Sequence, residues 1–129
     1  MAQDASLDIT VDVQAPTPPY EQIRSQIAAY VEGGLLSDGA RLPTMRALAA
    51  DLGVATGTVA RAYAELEAAG LVASRRRTGT VVTAPALRPA DEQLRRTATQ
   101  LAVQARDAGL DGESVQAIVR AALLRVTTT

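Results

Sequence analysis

The 129-residue chain has no cysteine, no histidine and no lysine, so all 13 of its basic residues are arginine. It has no Phe and no Trp either, and aromatics make up only 2% of it. Each absence removes a class of chemistry. Without Cys there is no disulfide framework. Without Cys or His there is no ligand set of the kind that holds structural zinc, and no metal site is expected. Acid–base catalysis by imidazole and an imidazole pH switch are excluded. Without Lys, Schiff-base catalysis and a Walker-type phosphate loop are excluded too. Carboxylate-only catalysis remains, but the acidic residues are scattered. No catalytic residue, no cofactor and no enzymatic activity are expected. No apolar run approaches the roughly 18 residues of a membrane helix. The N-terminus carries acids where a signal peptide carries basic residues. The expectation is a soluble, cytoplasmic protein with no membrane partner.

The chain is 47% apolar, supplied almost wholly by Ala, Leu, Val and Ile. That suffices for one small domain with an appendage, but such a core is thin, and oligomerisation is a natural source of further burial. Net charge is −1, yet it is unevenly spread. Residues 1–40 hold six acids and one Arg, residues 41–88 seven Arg and three acids, and residues 89–129 five of each. The positive charge is concentrated in the middle of the chain.

Along the chain, Leu7, Ile9, Val11 and Val13 alternate with polar residues, which predicts a short edge strand within an N-terminal tail, residues 1–15. Pro16, Pro18 and Pro19 launch a helix with Thr17 as candidate cap, and Tyr20, Ile23, Ile27 and Val31 form its apolar stripe. Gly33-Gly34 ends it, with Leu35 and Leu36 expected to tuck under the core. Arg41-Leu42 is placed for a tiny strand. Thr44 is placed to cap a second helix, carrying Met45, Leu48, Ala49 and Leu52 and stopped by Gly53. A third helix, about 55–69, has Val59, Ala62, Tyr63, Leu66 and Ala69 inside and ends at Gly70. Two short apolar strands follow, over 71–83, around a tip of Arg75, Arg76, Arg77, Thr78 and Gly79. Helix, turn, helix and a basic-tipped hairpin outline a winged helix-turn-helix, residues 16–83, which presents one helix to the major groove and a wing to the backbone.

Pro85 and Pro89 bracket a linker, 84–89, and residues 90–129 predict two helices joined at Gly109 and Asp111-Gly112, with Asp111 a cap. The fold class expected is mainly α with a small β-wing, the winged domain being followed by a C-terminal two-helix hairpin. That hairpin is too small to enclose a ligand and must bury its apolar faces against something. Leu94, Ala98, Leu101 and Ala105 on one helix, and Val115, Ile118, Val119, Ala122 and Leu123 on the other, are the candidate dimer contacts.

Leu42-Pro43, Arg46, Leu48-Ala49, Leu52-Gly53-Val54, Thr58-Val59, Leu66-Glu67, Gly70-Leu71 and Gly79-Thr80 occur in an order and spacing that resembles the GntR family of bacterial transcription regulators, over residues 19–82. The Pro-Pro-Tyr-Glu-Gln-Ile opening, the run from Thr58 to Leu66 and the short tail resemble its YtrA-like branch. The resemblance implies a small dimeric repressor of its own or a transporter operon, bound to a pseudo-palindromic double-stranded operator. It implies DNA contacts for Arg46, Thr56, Gly57, Thr58 and Gly79, with Ala60 also at a leading position. Many members carry Arg where this chain has Thr56 and Ala60, so base readout would lean on Arg46, Arg61 and the wing. An inducer, if one is bound, would belong at the dimer interface, where no polar cluster marks a pocket.

Blander readings stand beside these. Arg75, Arg76 and Arg77 could be a solvated loop. Arg61 could pair with Glu65, one helical turn away. Arg46 could pair with Asp51 or Glu21. Tyr63 belongs to the core rather than to a contact surface, with its hydroxyl at the surface. The whole could be a winged-helix protein-interaction module without sequence-specific DNA binding, a reading favoured by the acidic N-terminal segment. It could also be the DNA-binding half of a MocR-like regulator, whose larger half resembles a pyridoxal-phosphate aminotransferase; this chain has no Lys to hold that cofactor.

Overall fold

Pro18 and Pro19 start the first helix with the fixed φ that a helix needs and no orphaned N–H. The computed structural model describes residues 7–83 and 89–127, which fall into two units. The first holds α1 (Pro19–Glu32), α2 (Met45–Leu52), α3 (Thr56–Ala68), β1 (Val72–Arg75) and β2 (Gly79–Val82). The second holds α4 (Pro89–Asp107) and α5 (Gly112–Thr127). Apart from Pro89, the linker expected at 84–89 lies outside the described residues.

In the first unit α3 packs against both α1 and α2. Ile23 and Ile27 of α1 meet Val59 and Leu66 of α3 in a core where all four are fully buried. Ala28, Ala49 and Ala62 are buried among them, and their small side chains let the helices approach closely. Thr44 accepts the Ala47 N–H at 3.1 Å and so caps α2, while Gly53 ends it at φ 70°. That left-handed conformation suits glycine and disfavours other residues. Three residues separate α2 from α3. β1 and β2 pair antiparallel from Val72↔Val82 to Arg75↔Gly79. On the other edge of β2, the expected strand at Arg41-Leu42 is a single bridge, Arg41↔Val81.

Several local expectations are corrected. Of the alternating segment, residues 7–12 run extended along α1 but join no sheet, and Val13 falls in a turn. Gln22 accepts the Asp12 N–H at 2.9 Å and donates to the Asp12 carbonyl. Gln26 does the same for Thr10, at 3.1 and 2.7 Å. The Tyr30 hydroxyl accepts the Asp8 N–H at 3.1 Å. Four residues of helix rise about 6 Å, and two residues of extended chain about 6.6 Å, so side chains at i, i+4 and i+8 replace a partner strand. Within this arm Ile9 is buried, while Val13 is exposed. Thr17 caps nothing through its side chain; Pro18 holds the cap position. Leu36 is buried but Leu35 is not, and Ala69 is exposed.

Tyr63 is only 2% exposed, and its hydroxyl donates internally to the Pro43 carbonyl at 2.7 Å rather than reaching the surface. This bond ties α3 to the residue just before the α2 cap. Burial pushes the hydroxyl well above its ordinary range. The unfolded chain loses this proton near pH 10 while the folded chain keeps it, so the contribution is full below that pH and declines above it. Tyr63→Phe is expected to cost about 1 kcal/mol at neutral pH and to lessen the alkaline loss of stability. Thermal melts at about pH 7 and pH 11 check both parts; an unchanged neutral melt would show that the bond contributes nothing.

In the second unit a tight turn joins α4 and α5, and the Asp111 side chain caps α5 by accepting the Ser114 N–H at 2.8 Å. That bond holds the Asp111 carboxyl below its usual range. The two helices share little packing beyond the turn. Ala105 is buried and Leu101 and Val115 are half-buried, but no described residue of α5 is fully buried. Leu94, Ile118, Val119 and Leu123 remain 67%, 49%, 38% and 61% exposed. No helix among the described residues is long and apolar enough to cross a membrane.

Candidate nucleic-acid interface

The wing begins where α3 ends, and hydrogen bonds fix one to the other. The Glu67 carboxylate, in the last turn of α3, accepts the Ser74 N–H of β1 at 2.9 Å. The Thr83 hydroxyl donates to the Gly70 carbonyl at 2.8 Å. Val72 and Val82 are buried at the base of the hairpin, which leaves its far end to solvent. The pairing of Arg75 with Gly79 narrows the loop to Arg76, Arg77 and Thr78. Gly79 follows at φ 87°, a conformation that a side chain would strain. Arg75, Arg76 and Arg77 are all exposed, and among the described residues their side chains make no hydrogen bond or ion pair; Thr78 is half-buried.

A groove runs between this tip and the start of α2. Arg77, Thr78 and Gly79 line one wall, and Arg41, Thr44 and Ala47 the other. The N-terminus of α2 lies here; the Thr44 hydroxyl takes the Ala47 N–H, and the N–H groups of Met45 and Arg46 have no intrahelical carbonyl to bond, a polarity that favours anionic oxygens. Arg46, the second residue of α2, is exposed and makes no ion pair among the described residues. Its alternative partner Glu21 is taken, since Arg24 donates to it twice, at 2.8 and 2.6 Å. Those bonds hold the Glu21 carboxyl below its ordinary range. Sequence reasoning did not single out Arg41 or Thr44 for this groove; the basic and hydroxyl residues flanking Pro43 were the available signal.

The leading turn of α3 is bare. Ala55 holds its cap position and supplies no side-chain bond. Thr56 and Gly57 are exposed, while Thr58 and Ala60 are half-buried. A Cβ built on Gly57 would meet nothing within 4 Å, so the protein's own packing does not require glycine there. Arg61 is exposed and forms no ion pair with Glu65. Its guanidinium instead lies 3.7 Å from the centroid of the Tyr20 ring. Tyr20 was expected only in the core stripe of α1, and it is half-buried.

Together the first unit offers unpaired arginines on α2 and on a hairpin tip, a second helix with a small, uncapped leading turn, and a groove with helix N–H groups. Among the described residues, Arg46 and the tip arginines are cations without a partner. A polyanion with a groove about 12 Å wide would satisfy them.

Residues 19–82 match the family described as bacterial regulatory proteins, gntR family. The chain is similar to the HTH-type transcriptional regulator Rv1152 of Mycobacterium tuberculosis, with 51% identity over 75 residues, 58% of this chain and 62% of that protein. Among solved structures it is similar to YtrA from Sulfolobus acidocaldarius, a GntR-family transcription factor, at 33% identity and a TM-score of 0.55, covering 71% of this chain and 97% of that one. It is also similar to AraR(DBD) in complex with operator ORX1, at 26% identity and a TM-score of 0.53, covering 60% of this chain and all of that one. The chain spans about three fifths of the length of curated relatives that it matches, Rv1152 among them.

Proposed function

The chain belongs to the GntR family of bacterial transcription regulators, which are not enzymes, and from there we propose that it is a cytoplasmic, homodimeric repressor of its own or a transporter operon. It binds a pseudo-palindromic operator, with the first turns of α3 in the major groove and the wing on the flanking backbone. Blocking polymerase is the mode of repression. The observation that carries this reading is the exposure of Arg46 on α2 and of Arg75, Arg76 and Arg77 at the wing tip, unpaired among the described residues, joined to the bare leading turn of α3. The AraR structure, a relative of the same fold on operator DNA, supports it.

Arg46 and the tip arginines neutralise phosphates, and Arg61 reads a base edge or holds a further phosphate. Thr56 and Thr58 contact phosphate or a thymine methyl. The exposed apolar residues of α4 and α5 pack against a second copy, because paired half-sites about one helical turn apart need paired recognition helices. Leu94, Ala98, Ile118, Val119, Ala122 and Leu123 are available for this; Ala105 is already buried within one chain, and Leu101 and Val115 half-buried.

The test is fluorescence anisotropy with labelled duplex taken from just upstream of the protein's own coding sequence, against a scrambled duplex, at two salt concentrations. Tight, salt-sensitive and selective binding is expected. No binding to either duplex at low salt would sink the reading and leave a protein-interaction module.

Gly57 offers a sharper test. Alanine there meets only open space and is a better helix former, so Gly57→Ala should raise stability by about 0.5 kcal/mol. The added methyl points into the space that DNA must enter, and affinity should fall. Paired melting and anisotropy measurements decide it; unchanged affinity would remove close approach at this turn.

A further inference from the structure

Arg61 and Tyr20 lie far apart in sequence, yet the guanidinium of one stacks on the ring of the other, 3.7 Å from its centroid. Tyr20 is the second residue of α1 and so lies outside the α2–α3 helix pair. Arg61 lies on α3 and is exposed to solvent. The nearby carboxylates do not compete. Glu21 is held by Arg24 through two bonds, and Glu65 makes no ion pair with Arg61.

A stacked guanidinium is covered on one face only. Its five N–H donors lie in its plane and stay open to an acceptor approaching edge-on. Among the described residues, none of them donates to a protein acceptor. The ring therefore fixes where the arginine sits without consuming its hydrogen bonds. Holding a long side chain in one rotamer before binding removes ordering entropy that binding would otherwise cost. The edge of arginine matches O6 and N7 of guanine or two phosphate oxygens, and lysine, a point charge, has no such edge.

Building on the DNA-binding reading above, we propose that Tyr20 is a positioning residue for operator recognition, which presents the guanidinium edge of Arg61 from α3 before DNA arrives. The ring face supplies the effect and the hydroxyl does not. Tyr20 thereby makes the first turn of α1 part of the reading head.

Two measurements test this. The first needs no DNA. The ring should shift the Arg61 side-chain Nε–H resonance in the free protein, in wild type and in Tyr20→Phe but not in Tyr20→Leu. A wild-type resonance unaffected by Tyr20→Leu would overturn the stack itself. The second uses duplexes selected by the wild-type protein from a random-sequence pool, with their single-base variants, read by anisotropy. Tyr20→Phe should bind within about twofold of wild type, and Tyr20→Leu about fivefold more weakly. Tyr20→Leu should also lose discrimination at the base pair that Arg61→Ala stops discriminating, and should add nothing in the Arg61→Ala background. Equal losses from Tyr20→Leu in both backgrounds, or no loss in wild type, would overturn the proposal with DNA binding intact. A pool from which wild type enriches nothing would instead mark failure of the DNA-binding reading, and this proposal would fall with it.

Discussion

Replacing Arg75, Arg76 and Arg77 together by alanine should weaken binding to duplex DNA by roughly two orders of magnitude per engaged wing near physiological salt. Each phosphate that a cation neutralises releases counterions and contributes about 0.9 to the slope of log affinity against log salt. The slope should therefore flatten by about five in a dimer with both wings fully engaged, and by about half that if one engages. The loss should be similar for all sequences, since backbone contacts position the protein and do not read bases. Stability should hardly change. The three side chains are exposed and have no partner among the described residues, and such surface changes generally stay within about 0.5 kcal/mol. Anisotropy titrations from low to high salt, with a thermal melt of each protein, separate the two effects. An unaltered slope would remove the wing from the mechanism and leave its arginines as a solvated loop.

The second large effect belongs to the C-terminal helices. Leu94 and Leu123 are 67% and 61% exposed, on helices that bury almost nothing of their own. Under the dimer reading, Leu123→Glu places a carboxylate in an apolar contact, and the cost of desolvating that charge splits the pair. The first unit should be untouched, because the site is exposed in the single chain. Sedimentation should show the mass halved at micromolar protein. Operator affinity should fall by about 100-fold or more, because the second half-site loses the effective concentration that linkage supplies. Binding to a single half-site should survive. If the variant sediments as wild type does and binds the full operator normally, the exposed face of α5 is not the dimer contact.

The parts of this protein legible in its sequence share a property: their signals are local. Thr44 caps α2 with the N–H three residues on. Gly53 and Gly79 sit where the backbone turns left-handed. The inner stripe of α3 shows in Val59, Ala62, Tyr63 and Leu66, all buried. The wing arginines are read directly, because exposure at a hairpin tip follows from the turn. The extended form of segment 7–12 was legible too, but its partner was not. Period-two alternation predicts a pleated backbone and is silent on whether a strand or a row of glutamines satisfies its hydrogen bonds.

By itself, then, the sequence determined the helices, the hairpin, their order and the basic character of the wing tip, since helix stops, caps, turn residues and charge act within a few residues. Tertiary structure alone decided which side chains from distant elements meet. Tyr30, Gln26 and Gln22 meet the N-terminal arm, the Tyr63 hydroxyl reaches Pro43, and the Tyr20 ring receives Arg61. The last two depend on how α1 and α2 dock against α3. That docking is set by the summed packing of Ile23, Ile27, Leu48, Val59 and Leu66, and no local pattern encodes a summed interaction.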